Sequence, residues 1–120
     1  MPLILIADDN ELNREMLGKR LTKKGFDVVL AEDGAVACDK ARSESPDLIL
    51  MDMNMPVKTG WEATSELKAD AATQSIPVIA LTAASEQEDI DRTMDAGCDA
   101  YQTKPVKLVE LIEKMTPYFD

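Results

Sequence analysis

Five side chains spread along a chain of 120 residues are those from which phosphoryl chemistry is built: Asp8 with the adjacent Asp9, Asp52, Thr82, and Lys104 followed by Pro105. Each stands just after an apolar run. Three carboxylates brought together repel one another, which raises some of their pKa values unless a cation holds them all ionised. Mg2+ suits such a place: it prefers oxygen ligands, takes one or two carboxylates, keeps waters and completes its octahedron with phosphate oxygens. A positive charge from Lys104 and a neutral donor from Thr82 are what the far side of a phosphoryl group needs. Taken singly, these residues signal little. A lone Asp after a strand is ordinarily an Asx turn or a helix N-cap, a lone Thr a turn hydroxyl, and a lone Lys a solvated charge. The constellation carries the reading.

For these residues to meet, the chain must deliver several strand ends to one edge. Residues 3–7 (LILIA), 48–51 (LILM) and 78–81 (VIAL) are apolar at every position, as strands buried on both faces are. Two weaker runs, 26–31 after Gly25 and 99–103 after Gly97, begin beyond helix stop signals. Between the strands the period becomes helical. Leu12, Met16, Leu17 and Leu21 form one apolar stripe, and Leu108, Leu111, Ile112 and Met115 form another. Thr59 and Ser85 each precede a Glu by three residues, the capping-box spacing that opens a helix. Asp33-Gly34 opens an Ala-rich helix running to about Ser43, with Pro46 closing the connection. Five βα repeats predict an α/β fold, a parallel sheet covered on both faces, because a parallel crossover needs a helix-length connection and is nearly always right-handed. Ligands of such sheets lie beyond the carboxyl ends of the strands, where the five residues stand.

Composition narrows the function. Thirteen Lys and Arg against 23 Asp and Glu give a net charge of −10, which disfavours direct nucleic-acid binding and anionic lipid surfaces. There is no histidine, so the commonest general base, the commonest zinc ligand and any phosphohistidine acceptor are absent. Cys38 and Cys98 lie far apart in a chain without a secretory leader, and are expected to be reduced packing thiols of a cytoplasmic protein. The longest apolar stretch, 76–84, is interrupted by Pro77 and Thr82 and falls short of the ~20 residues of a membrane span, so no membrane insertion is expected. Nothing marks a linker or a repeat, and the length is that of one domain.

Taken in order, the runs Ile4-Leu5-Ile6-Ala7-Asp8-Asp9-Asn10, Asp47 to Pro56 (DLILMDMNMP) followed by Gly60, Ala80-Leu81-Thr82-Ala83, and Lys104-Pro105 resemble the receiver domain of bacterial two-component response regulators, here in a single-domain, chemotaxis-regulator-like form. Four separated motifs agree along the whole chain. The resemblance implies a flavodoxin-like, doubly wound five-stranded parallel sheet ordered 2-1-3-4-5 with five helices, and one receiver domain over residues 1–120 without an output domain. It implies that Asp52 is the phosphoacceptor, taking its phosphoryl group from the phosphohistidine of a partner histidine kinase or histidine phosphotransfer protein. Asp9 and Asp52 would hold Mg2+ directly with the backbone carbonyl of Asn54, and Asp8 would act through a water. Thr82 would bind a phosphoryl oxygen and Lys104 would pair with the phosphoryl group or the acceptor carboxylate. The resemblance further implies a switch in which Thr82 moves toward the phosphoryl group while Tyr101 turns inward, so that the fourth helix, fifth strand and fifth helix present a changed surface to a downstream protein target.

On this reading the chain is a phosphoaccepting signalling switch that catalyses its own phosphorylation and dephosphorylation, not an enzyme with a separate substrate. Alternatives remain open at this point: a phosphorylation-independent adaptor, a receiver fragment of a hybrid histidine kinase, or a magnesium-dependent phosphatase with an aspartyl nucleophile. The last needs a second acid two residues after the nucleophile, where Asn54 stands. Ala84, two residues after Thr82, would neither obstruct nor orient an attacking water. Trp61 and the alternating Met51, Met53 and Met55 read as packing. Lys104-Pro105 is open to a cis bond, as any X-Pro bond is.

Overall fold

Strands apolar at every position have no solvent face, so they must lie in the middle of a sheet and be covered twice. The computed structural model, which describes residues 2–83 and 87–119, has this arrangement. Strands β1 (Leu3–Ala7), β2 (Asp27–Ala31), β3 (Leu48–Asp52), β4 (Val78–Thr82) and β5 (Ala100–Thr103) alternate with helices α1 (Glu11–Lys23), α2 (Gly34–Glu44), α3 (Gly60–Ala69), α4 (Gln87–Asp95) and α5 (Leu108–Met115), and a short 3-10 turn follows at Thr116–Phe119. All pairings are parallel and the order is β2-β1-β3-β4-β5. The fully apolar strands β1, β3 and β4 occupy the centre, and the two weaker ones are the edges.

The register places Ile4 beside both Val28 and Leu48, and Ile49 beside Val78. Alternate side chains therefore form two cores. Ile4, Ile6, Leu48, Leu50, Ile79 and Leu81 face Leu21 of α1 and Leu111 and Met115 of α5. Leu5, Ile49, Met51, Val78 and Ala80 face Ala37, Cys38 and Ala41 of α2 and Ala63 and Leu67 of α3. Small residues fill the α2–α3 side, which lets those helices approach the sheet closely. The sulfurs of Cys38 and Cys98 belong to this core as free thiols, and Met51, Met53 and Met55 are buried with them.

Helix starts follow the capping signals. Asn10 caps α1 by accepting from the Asn13 N–H, and Asp33 caps α2 by accepting from the Val36 N–H. Thr59 and Glu62 form the complete capping box of α3, satisfying two backbone N–H groups reciprocally. The capping box expected at Ser85, like Ala84, lies outside the described residues.

Three expectations are corrected. Strands β3 and β4 run one residue further than their apolar runs, because Asp52 and Thr82 still pair in register with Leu81 and Thr103. The edge strands each start one residue later, β2 at Asp27 and β5 at Ala100, and Phe26 instead meets the Phe119 ring at a centroid distance of 5.7 Å. The stripe of α1 is also rotated. Helix α1 rests on the sheet through Gly18 and Leu21, with Leu17 half-buried, while Leu12 is 69% and Met16 44% exposed. Gly18 faces β2: a Cβ there would stand 3.4 Å from Leu30 Cδ2 and 3.6 Å from Val28 Cγ1, so this side of α1 lies against the sheet.

Candidate functional site

The carboxyl ends of β1, β3, β4 and β5 open at one edge of the sheet, and four different βα units contribute to one cluster there. Asp8 and Asp52 are buried and Asp9 is exposed, yet one oxygen from each of the three carboxylates lies within 4.8 Å of the other two. From β5, Lys104 reaches in with Nζ 3.4 Å from Asp52 Oδ2 and 3.8 Å from Asp8 Oδ2. Its backbone N–H donates to the Thr82 carbonyl at 2.8 Å, which ties the β5 exit to the end of β4. Thr82 is buried at that end. Tyr101 stands three residues before Lys104, half-buried against the core; its carbonyl accepts from Lys114 Nζ at 2.6 Å, and the same ammonium stands 5.6 Å from its ring centroid. The Lys104-Pro105 bond is cis.

Local turns fix the acids. Asp8 Oδ1 accepts from the Asn10 N–H at 2.9 Å, an Asx turn that holds the carboxylate over the sheet edge. Asp52 Oδ1 accepts from the Asn54 N–H at 3.3 Å, and the Asn54 side chain is turned to solvent. Beyond Asn54 the loop makes a γ-turn centred on Val57, whose φ of 68° is a strained conformation for a β-branched residue, and the Lys58 N–H closes it onto the Pro56 carbonyl at 2.7 Å. Neighbours hold that strain in place. Lys58 pairs with Glu66 of α3, which is bonded in turn to Arg42 of α2 at 2.9 Å. That ammonium, with the Cys38 thiol and the Arg42 guanidinium, holds the Glu66 carboxyl down at about 2. Gly60 then brings α3 against the end of β3 so closely that a Cβ would stand 2.2 Å from the Asp52 carbonyl oxygen and 2.7 Å from Met53 Cα. Only glycine fits there.

Electrostatics follow from this crowding. Burial pushes the Asp52 carboxyl above the usual carboxylate range; Lys104 pulls it back and Asp8 pushes it up again. An ionised Asp52 is therefore held at a cost that a bound cation would remove. The donor set is all oxygen, hard and anionic, which fits Mg2+ and does not fit zinc or copper.

Sequence reasoning placed Asp8, Asp9, Asp52, Thr82 and Lys104 at strand ends, and the structure brings the acids and Lys104 together. It missed Arg14, whose Nη1 donates to the Asp8 carbonyl oxygen at 2.7 Å. A signal existed: a cation near the start of a helix opposes the helix dipole and so needs a local partner. It also missed how Trp61 is used. The indole Nε1 donates to the Thr93 hydroxyl at 3.1 Å and the Arg92 guanidinium lies 3.8 Å over the ring, so α3 and α4 are joined through it.

The family profile described as the response regulator receiver domain matches residues 4–116. This chain belongs to that family. Among curated receivers, the polar-differentiation response regulators DivK of Brucella ovis and Brucella melitensis are 38% identical over 115 residues, 96% of this chain and 94% of theirs. Solved receivers superpose over nearly the whole length. Chemotaxis protein CheY4 of Vibrio cholerae does so with a TM-score of 0.92 at 28% identity over 98% of both chains. The receiver domain of the sensor histidine kinase PA1611 from Pseudomonas aeruginosa does so with a TM-score of 0.91 at 35% identity, covering 98% of this chain and 96% of that one, and holds a magnesium ion in its active site cleft. The flavodoxin-like sheet order is common to the fold these receivers share. Among the described residues, no helix is long and apolar enough to cross a membrane.

Proposed function

We propose that this receiver is a phosphorylation switch in which Asp52 accepts a phosphoryl group from the phosphohistidine of a histidine kinase or histidine phosphotransfer protein, in a reaction that depends on Mg2+. The observation that carries the proposal is the buried Asp52 carboxylate set between Lys104 Nζ at 3.4 Å and the Asp8–Asp9 pair. Asp9, Asp52 and the backbone carbonyl of Asn54 would hold the ion, with Asp8 acting through a water. When bound, Mg2+ neutralises charge on the phosphoryl oxygens, which would otherwise be repelled by three carboxylates.

The chain's own groups do the rest by position. Asp52 presents an oxygen to phosphorus. As that O–P bond forms, the P–N bond of the donor breaks and its electron pair returns to the imidazole. Lys104 follows the charge, from the carboxylate to the transferred group, and the Thr82 hydroxyl offers a neutral donor to a phosphoryl oxygen. A groove lined by Met16, Leu17, Arg20, Pro105 and Val106 runs from α1 to the β5–α5 turn and opens onto Asp8 and Lys104. Its apolar floor and basic rim suit the docking of the donor protein. Phosphorylation adds a dianion-like group at the end of β3, and Thr82 and Tyr101 respond by moving inward, which changes the α4–β5–α5 surface offered to a downstream protein.

The test is incubation with acetyl phosphate or phosphoramidate and Mg2+, read by intact mass. The native protein gains one phosphoryl group, and chelation or the Asp52→Asn substitution abolishes the gain. Undiminished addition in Asp52→Asn would refute the assignment.

A further inference from the structure

Arg14 is one turn into α1, where a cation is disfavoured by the helix dipole, and its guanidinium is used on backbone: Nη1 donates to the Asp8 carbonyl oxygen at 2.7 Å in a partly buried setting. The residue it grips is the first of the acidic pair. The carbonyl of Asp8 belongs to the peptide that leads into Asp9, so its direction sets where the Asp9 backbone and carboxylate point. Two other bonds fix the rest of the turn. Asp8 Oδ1 accepts from the Asn10 N–H at 2.9 Å, and Asn10 Oδ1 accepts from the Asn13 N–H at 2.9 Å. Among the described residues no side-chain hydrogen bond restrains Asp9: it is exposed, at the rim of the cluster, and yet its carboxylate lies within 4.8 Å of those of Asp8 and Asp52. The peptide plane that precedes it is what Arg14 holds.

We propose that Arg14 is a positioning residue for the cation site, orienting Asp9 through the Asp8 carbonyl without touching the ion. The inference rests on the reading of Asp8, Asp9 and Asp52 as a Mg2+ site. Its sign separates it from simple electrostatics. A guanidinium near a cation site repels the cation, so removing the charge alone would strengthen Mg2+ binding. Removing a positioning bond does the opposite, because an outer partner that orients a ligand is worth roughly 10–100-fold in metal affinity.

The experiment is a calorimetric Mg2+ titration of the native protein, Arg14→Ala, Arg14→Lys and Asp9→Asn, with folding of each checked by circular dichroism and thermal unfolding. Arg14→Ala is expected to bind Mg2+ about tenfold more weakly, and Arg14→Lys, which retains one donor, to recover much of that loss. In a second readout, phosphorylation by acetyl phosphate as a function of Mg2+, Arg14→Ala shifts the half-saturating concentration upward by a similar factor and leaves the rate at saturating Mg2+ near native. Should Arg14→Ala unfold, Arg14→Gln, which keeps an N–H donor and length without the charge, is expected to bind within a few fold of native. Unchanged or tighter Mg2+ binding by folded Arg14→Ala overturns the proposal, as does a fall in the saturating rate with no shift in half-saturation. Absence of Mg2+ binding by the native protein removes the cation reading and the role of Arg14 with it; intact binding that is lost in Asp9→Asn and unaltered in Arg14→Ala removes the role of Arg14 alone.

Discussion

The crowding and burial of charge at the strand ends predict that the fold is more stable without the Asp52 charge. In Asp52→Asn the shape of the side chain is kept, and its amide oxygen still accepts from the Asn54 N–H, but the buried negative charge is gone. At an effective dielectric of about 20, the ammonium of Lys104 at 3.4 Å attracts the Asp52 carboxylate by about 5 kcal/mol, and each neighbouring carboxylate within 4.8 Å repels it by at least about 3.5 kcal/mol. Exposure of Asp9 screens its share. That leaves the Lys104 attraction ahead of the Asp8 repulsion, and burial, the largest influence, outweighs the difference, as the raised Asp52 pKa records. Asp52→Asn is therefore expected to be more stable than the native protein by about 1–2 kcal/mol at pH 7 in low salt without Mg2+, a rise in Tm of roughly 4–8 °C.

The pH dependence carries its own sign. The folded pKa of Asp52 lies above the value of 3.8 for a free carboxyl, so the native protein loses stability as pH rises from there through the folded pKa. The advantage of the variant should be absent below about pH 4, where both chains are neutral at this position, and should grow to a plateau above the folded pKa. Mg2+ should erase it: at ten times its dissociation constant the ion stabilises the native protein by about 1.4 kcal/mol, and the variant by less. Urea or thermal unfolding at several pH values, with and without Mg2+, measures all three effects. A variant less stable than the native protein at pH 7, or a difference that does not change between pH 3 and pH 7, would refute the reasoning.

Two more perturbations test the packing around the site. Gly60→Ala puts a methyl group 2.2 Å from the Asp52 carbonyl oxygen and against Met53 Cα, both backbone atoms, so α3 or the end of β3 must shift; a loss of roughly 2–3 kcal/mol in urea unfolding and slower phosphorylation by acetyl phosphate are expected together. Cys38, with its thiol pushed up to about 12 chiefly by burial, and Cys98, raised for the same first reason, should react with a thiol reagent at pH 8 at least ~100-fold more slowly in the native protein than in urea, as counted by intact mass.

Much of this was legible in the sequence because parallel strands announce themselves twice. LILIA, LILM and VIAL have no polar alternation, which places them centrally, and the first polar residue after each is by construction at the ligand edge. Asp8, Asp52 and Thr82 were found that way. What stayed hidden depends on contacts between distant segments. The apolar spacing of Leu12, Met16, Leu17 and Leu21 fits a helix but does not say which part of the stripe meets the sheet; Gly18 and Leu21 do, and Leu12 and Met16 are left exposed. The helix dipole says that Arg14 wants a local partner but not that the partner is the Asp8 carbonyl, and Trp61 reads as a core residue because its partners stand on α4. Likewise the burial of Asp8 beside an exposed Asp9 could not be read from two identical neighbours.

The sheet order has a temporal consequence. Asp8 is supplied near the start of the chain, Asp52 in the middle, and Lys104 close to the end, and they meet only because β1, β3, β4 and β5 lie in register. No fragment shorter than residues 8–104 holds the set. A nascent chain that has exposed β1 through β4 already owns the Asp52 carboxylate and its acidic neighbours, but not the ammonium that offsets them, and non-local pairing of this kind forms late because the closure entropy must be met first. On the proposed function, competence to take a phosphoryl group arrives only with the last strand, and phosphorylation would report that all five strands are in place.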